Sequence, residues 1–154
     1  SMALRHDAGF RPQATQVITR GAARFLRQAG FAILTEMPLA NDRRVDLMAL
    51  SPKGQMVAIE VKSSLEDFRG DRKWGAYMDY CDAFAFAVAP DFPRDILPAP
   101  AGLLLADAYG GCWHREPETH GLAPARRKAL TIQFARLAAS RLHAHDDPFL
   151  AWQT

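Results

Sequence analysis

The sequence predicts a mixed α/β sandwich, a central sheet with helices laid over its faces. Amphipathic runs at helical spacing alternate with short apolar runs in the order helix, three strands, helix, strand, hairpin, helix. One apolar run, Ala83 to Ala89 (AFAFAVA), carries no charge, as a strand buried on both faces requires. No internal repeat, low-complexity tract or long linker divides the 154 residues, so all the elements serve one core.

The first helix spans Gln13 to Ala29, where Ala14, Val17, Ile18, Ala22, Phe25, Leu26 and Ala29 form an apolar stripe and Gly30 supplies the C-cap. Arg20, Arg24 and Arg27 occupy another face of it. Phe31 to Leu39 reads as a first strand, stopped by Ala40-Asn41-Asp42. Arg43 to Leu50 and Gln55 to Ser63 follow as a hairpin around Pro52-Lys53-Gly54. In LEDFRGDRKWGAYMDYC, Trp74, Tyr77, Met78 and Cys81 recur at helical spacing and predict a single helix. After the apolar strand, four prolines between Pro90 and Pro100 mark a surface loop. Gly102 to Ala108 and Cys112 to Arg115 make a second hairpin, turned at Gly110-Gly111. A last helix runs from about Ala123 to His143, with Pro124 in its first turn and Leu130, Phe134, Leu137 and Leu142 facing in.

A chain of this length buries about two-thirds of its unfolded-state surface. The hydrophobic fraction of 49% and charged fraction of 23% are those of a soluble globular protein. The net charge of +2 is too small to argue for a polyanionic partner, but its distribution is uneven. Between Ala8 and Thr35 there is no acidic residue, while Arg11, Arg20, Arg24 and Arg27 lie there. Cys81 and Cys112 lack metal-ligand spacing and are expected reduced and partly buried, in a cytoplasmic protein. No apolar run approaches the length of a transmembrane helix, and no signal-peptide pattern is present. Ser1 before Met2 reads as a tag-removal scar. The domain is placed at residues 10–145, with 1–9 and 146–154 as flexible or peripheral termini.

The chemistry concentrates in RRVDLMALSPKGQMVAIEVKSS, where Asp46 is followed fourteen residues later by Glu60-Val61-Lys62 inside otherwise apolar strands. Side chains alternate along a strand, so Glu60 and Lys62 share a face that Ile59 and Val61 do not. Burying such charges costs several kcal/mol unless they are paired or hold a metal. If the hairpin loop is the five residues Ser51 to Gln55, Leu50 faces Met56, Asp46 faces Glu60, and Arg44 faces Lys62. Opposed carboxylates then lie about 4.5–5.5 Å apart at their Cβ atoms, within reach of one cation. A four-residue loop would break that parity unless a bulge restored it. An all-oxygen set of this kind suits Mg²⁺ or Mn²⁺ rather than zinc. Lys62 can orient an attacking water and stabilise developing charge. The plainer alternative is an edge ribbon with Glu60 and Lys62 facing solvent.

The order of elements, with Asp46 opening the second strand and Glu60-Val61-Lys62 in the third, resembles the PD-(D/E)xK nuclease superfamily. More narrowly, TEMPLANDRRVDLMAL, AIEVKSSLEDFRGDRKWGAYMDYCD and LAPARRKAL resemble the MmcB family of DNA repair endonucleases, over residues 13 to 143. The resemblance implies a restriction-endonuclease-like αβββαβ core followed by a C-terminal hairpin and helix. It implies that Asp46, Glu60 and the Val61 carbonyl bind the metal, with Lys62 at the nucleophile, and that cleavage leaves a 5′-phosphate and a 3′-hydroxyl. Two departures stand out. Val45 replaces the proline of the superfamily's name, and the first helix lacks the glutamate many members carry, Thr19 standing near its place. Glu36 on the first strand is the candidate replacement.

Around this centre, Arg69, Arg72 and Lys73 are candidate phosphate contacts, and Trp74 and Tyr77 could stack on an unpaired base. Alternatively the aromatics are core residues and the charges face solvent. Arg43 and Arg44 could neutralise scissile-strand phosphates or pair with Glu36 or Asp42. Arg126, Arg127, Lys128, Arg136 and Arg141 make the last helix basic, fit to track a nucleic-acid backbone or simply to face water. The reading is a Mg²⁺- or Mn²⁺-dependent DNA endonuclease of repair, acting on DNA and free of membranes, with a homodimer as the assembly many nucleases of this fold use. The rival is the same fold, weakly active or inactive, serving as a nucleic-acid-binding or partner-recruiting module.

Overall fold

A computed structural model describes residues 13–70, 74–94 and 101–151. The elements are α1 (Gln13–Gln28), β1 (Ala32–Pro38), β2 (Arg44–Leu50), β3 (Met56–Val61), α2 (Leu65–Gly70), a 3-10 helix (Trp74–Tyr80), β4 (Ala83–Val88), β5 (Gly102–Ala106), β6 (Gly111–Arg115), α3 (Pro124–Asp146) and α4 (Pro148–Ala151). The six strands form one mixed sheet in sequence order. β1, β2 and β3 pair antiparallel, β3, β4 and β5 pair parallel, and β6 returns antiparallel to β5. With helices on both faces and the C-terminal hairpin and helix following, the architecture is that of a restriction-endonuclease-like fold.

The alternation in β4 explains how the layers differ. Ala83, Ala85 and Ala87 face a cluster that includes Ile18, Ala22 and Leu26 of α1. Phe84, Phe86 and Val88 face the other side, with Tyr77, Leu130 and Phe134. Small side chains let α1 lie close to the sheet, and large ones fill the layer beneath the 3-10 helix and α3. Tyr77 stacks on Phe84 at 5.7 Å, and Phe84 meets Phe86 edge-on at 5.1 Å.

α1 ends as its glycine predicts. Gly30 has φ of 97°, its N–H donates to Arg27 O, and the Phe31 N–H donates to Leu26 O, a Schellman cap. Within the helix Gly21 is buried and has to stay small, because a Cβ there would lie 1.8 Å from the Asp107 carbonyl oxygen. α1 thus packs directly on the β5–β6 turn.

The structure departs from the sequence pattern in two elements. The helical spacing after the ExK motif belongs not to a single helix but to a short α2 and a 3-10 helix on either side of residues 71–73, which lie outside the described set. Leu142 does not face in with Leu130 and Phe134; it is 62% exposed. Leu137 and Ala138 still pack on the core at partial burial, while Gln133 and Arg141 of the same helix reach the carbonyls of β1. The helix also continues to Asp146, a little beyond the end expected at about His143. No helix among the described residues is long and apolar enough to cross a membrane.

Candidate active site

β1 and β2 change face together. Along an unbroken strand one face recurs at every second residue. Leu34 and Met37 nonetheless share one apolar cluster, as do Val45 and Met48, each pair three residues apart. The alternation resets between them, at Glu36 in β1, whose φ is 50°, and at Asp46 in β2. These two residues lie opposite each other, bracketed by the pairs Thr35↔Leu47 and Met37↔Val45. A left-handed non-glycine residue inside a strand is a bulge-type irregularity that re-aims its neighbours.

Asp46 is re-aimed toward β3. Leu50 pairs with Met56, as a five-residue loop requires, and the β2–β3 ladder runs to Leu47↔Ile59. Beyond that pair side chains replace backbone rungs. Asp46 Oδ2 accepts the Val61 N–H at 2.8 Å, and Glu60 Oε1 accepts the Asp46 N–H at 3.2 Å. The structure therefore brings the two carboxylates together in the opening between β2 and β3, each with one oxygen held by a backbone donor of the other strand.

Glu60 and Lys62 alternate with Ile59 and Val61, which belong to the α1-side cluster, so the charged pair faces the other layer. Glu60 is 7% exposed and Lys62 is 6% exposed. Solvent-facing positions on an edge ribbon would not be so covered: β3 is an interior strand, with Glu60 paired to Phe86 of β4. The Lys62 N–H donates to Ala87 O at 3.0 Å, so the β3–β4 register holds through the motif.

The residues named around this centre divide. Glu36 lies 3.8 Å from the Arg44 guanidinium, the ion pair that is its structural alternative to metal binding. Among the described residues no group of three or more His, Cys, Asp or Glu side chains is placed to hold one ion, so Glu36 does not form a three-carboxylate set with Asp46 and Glu60. Arg43 is half-buried in the turn before β2, where its N–H donates to Asn41 Oδ1. Tyr77 is buried, with its ring on Phe84 and its hydroxyl donating to Arg44 O at 3.3 Å. Trp74 is half-buried against Phe84 and Phe86. Both rings occupy core positions, the alternative to base stacking. Arg72 and Lys73 lie outside the described residues, as does the side chain of Arg69.

Several polar residues outside the motif take structural roles that the sequence does not specify. Asp82, 2% exposed, accepts both Arg127 guanidinium nitrogens and the N–H groups of Met56 and Leu122. Burial pushes its carboxyl upward, but the Arg127 and backbone hydrogen bonds outweigh that and hold it below the usual carboxylate range. Arg127 also donates to Gly54 O at 2.7 Å, so one ion pair joins α3 to the β2–β3 turn and the start of β4. Arg126 lies over the Tyr80 ring at 4.3 Å, and Arg141 donates to the carbonyls of Thr35 and Glu36. Three cations of the basic helix therefore tie it to the domain. An aspartate just ahead of an uncharged strand is the one available hint for Asp82. Its partner, 45 residues away, has none.

The donor chemistry fits a divalent cation of oxygen preference: two converging carboxylates, a nearby backbone carbonyl at Val61, and no sulfur or imidazole ligand set among the described residues. A family model described as "DNA repair protein MmcB-like" matches residues 5–149. Among solved structures, the SPO1766 protein of unknown function from Silicibacter pomeroyi is similar at 47% identity and a TM-score of 0.85, covering 90% of this chain and 95% of that one. No curated protein matches the chain.

Proposed function

The chain belongs to the MmcB-like family of DNA repair proteins, and on that premise we propose that it is a metal-dependent DNA endonuclease of the PD-(D/E)xK type. The observation that carries the reading is the exchange of carboxylate–backbone hydrogen bonds between Asp46 and the Glu60-Val61 pair, with Lys62 buried beside them. A sheet built only for stability would continue its ladder with apolar residues here, since buried ionic groups are weak stabilisers.

Asp46, Glu60 and the Val61 carbonyl would hold Mg²⁺ or Mn²⁺. When bound, such a cation offsets charge developing on the phosphoryl oxygens and activates water near neutral pH. The protein's own contribution is orientation. The Val61 N–H fixes the plane of the Asp46 carboxylate, and the Asp46 N–H fixes that of Glu60. Lys62, carried on the same strand face as Glu60, donates from Nζ to the attacking water and to a non-bridging phosphate oxygen. Burial of that face strengthens each of these interactions relative to bulk water. Arg43, Arg44, Arg69, Arg72 and Lys73 are proposed to contact backbone phosphates, which position DNA without reading its sequence.

The rival reading is a nucleic-acid-binding module that has lost cutting. It draws on the absence of any acidic residue in α1 and of a three-carboxylate group among the described residues. Incubating the protein with branched, flapped and linear DNA in Mg²⁺, Mn²⁺ or EDTA decides between them. Metal-dependent cleavage that is lost in Asp46→Asn supports the nuclease. Tight binding of the same DNAs with no product under any metal supports the module.

A further inference from the structure

β1 is an edge strand, and α3 donates to carbonyls of its second half. Gln133 donates to Pro38 O, and Arg141 donates through Nη1 to Thr35 O and through Nη2 to Glu36 O at 2.9 Å. The two carbonyls gripped by Arg141 belong to the peptide groups on either side of the left-handed Glu36. Directly across from Glu36 stands Asp46, at the matching change of face in β2. From there the Asp46 side chain leaves the sheet's alternation and reaches the Val61 N–H.

We infer that Arg141 is a positioning residue for the Asp46–Glu60 site: by clamping the Thr35 and Glu36 carbonyls it holds the left-handed turn in β1 that aims Asp46 into the opening between β2 and β3. The inference rests on the reading of Asp46 and Glu60 as the metal-binding pair. A glutamate disfavours φ of 50° because its Cβ crowds the following carbonyl, and relaxing that residue to extended geometry would restore a regular rung opposite Asp46. A guanidinium suits the task because its planar fork presents two parallel donors to two successive carbonyls. Arg141 is exposed, so its removal leaves no buried unpaired charge behind.

The test uses residue-resolved amide hydrogen exchange together with Mn²⁺ titration by calorimetry. In Arg141→Ala, protection of the Asp46 and Val61 amides should fall roughly tenfold, the population shift worth one left-handed residue, while amides of β4 stay unchanged. Adding Glu36→Gly to that variant should restore protection, because glycine adopts positive φ without a Cβ penalty. Mn²⁺ affinity should weaken in Arg141→Ala by a similar factor, with only a small change in Tm. Unchanged Asp46 and Val61 amides overturn the inference, as does failure of Glu36→Gly to restore them. Altered amides with unaltered Mn²⁺ affinity overturn it too, since the clamp would then not reach the ligands. If wild type takes up no Mn²⁺ while its amides still respond to Arg141→Ala, the nuclease reading fails and the clamp on Asp46 stands.

Discussion

Replacing Asp82 by alanine removes the acceptor for four donors at once: the Met56 N–H at 2.7 Å, the Leu122 N–H at 2.9 Å, and both terminal nitrogens of Arg127. Breaking a buried ion pair by deleting one partner costs about 3–5 kcal/mol. Arg127 retains 35% of its side-chain exposure and can turn toward water, so the lower end, about 3 kcal/mol, applies. For a domain of this size each kcal/mol lowers Tm by about 2–4 °C, which predicts a fall of about 6–12 °C by differential scanning calorimetry at pH 7. The pair should be non-additive: Asp82→Ala with Arg127→Met should cost less than the two single changes summed. Acid should expose the same pair. The folded-state carboxyl lies below its unfolded value, so its stabilisation is complete above the unfolded pKa and disappears as pH falls through the lower folded value. The Tm gap between wild type and Asp82→Asn should therefore hold from pH 7 down to about pH 4 and narrow below it. A Tm fall under about 3 °C, or strict additivity in the double variant, would refute the reasoning, because a buried carboxylate that holds four donors cannot do either.

Asp46→Asn or Glu60→Gln should abolish metal-dependent cleavage while leaving Tm within a few degrees, since each amide keeps an oxygen for its backbone donor; cleavage surviving either change would place the activity elsewhere. DNA affinity should fall steeply with salt, and Arg72→Ala or Lys73→Ala should each flatten the log–log slope by about one unit in fluorescence anisotropy. Cys112 should react with a thiol reagent in the native protein and Cys81 should not, because burial pushes the Cys81 thiol up to about 12; mass spectrometry of the labelled sites checks both. Gly21→Ala should destabilise strongly despite alanine's better helix propensity, as the added methyl meets the Asp107 carbonyl; an unchanged Tm would show that α1 can lift off the β5–β6 turn.

The faces of the sheet are legible in the chain itself. AFAFAVA alternates small and large side chains, and the structure sorts them onto the α1 side and the opposite side accordingly. The loop of Ser51 to Gln55 carries enough parity to set Leu50 against Met56, and the ladder so registered runs to Leu47↔Ile59, next to which Asp46 and Glu60 exchange side-chain hydrogen bonds. Such features are local: period, turn length and residue type act within a few positions. The remainder is settled by contacts between distant segments. Nothing near Arg127 announces Asp82, 45 residues back, and nothing near Arg141 announces the Glu36 carbonyl 105 residues away. Trp74 and Tyr77 carry the same spacing whether they stack on bases or on Phe84, and only the depth of the layer beneath them chose the phenylalanines. The left-handed Glu36 is the clearest case. A glutamate has no local preference for positive φ, so the bend that re-aims Asp46 depends on carbonyl partners supplied by a helix at the far end of the sequence.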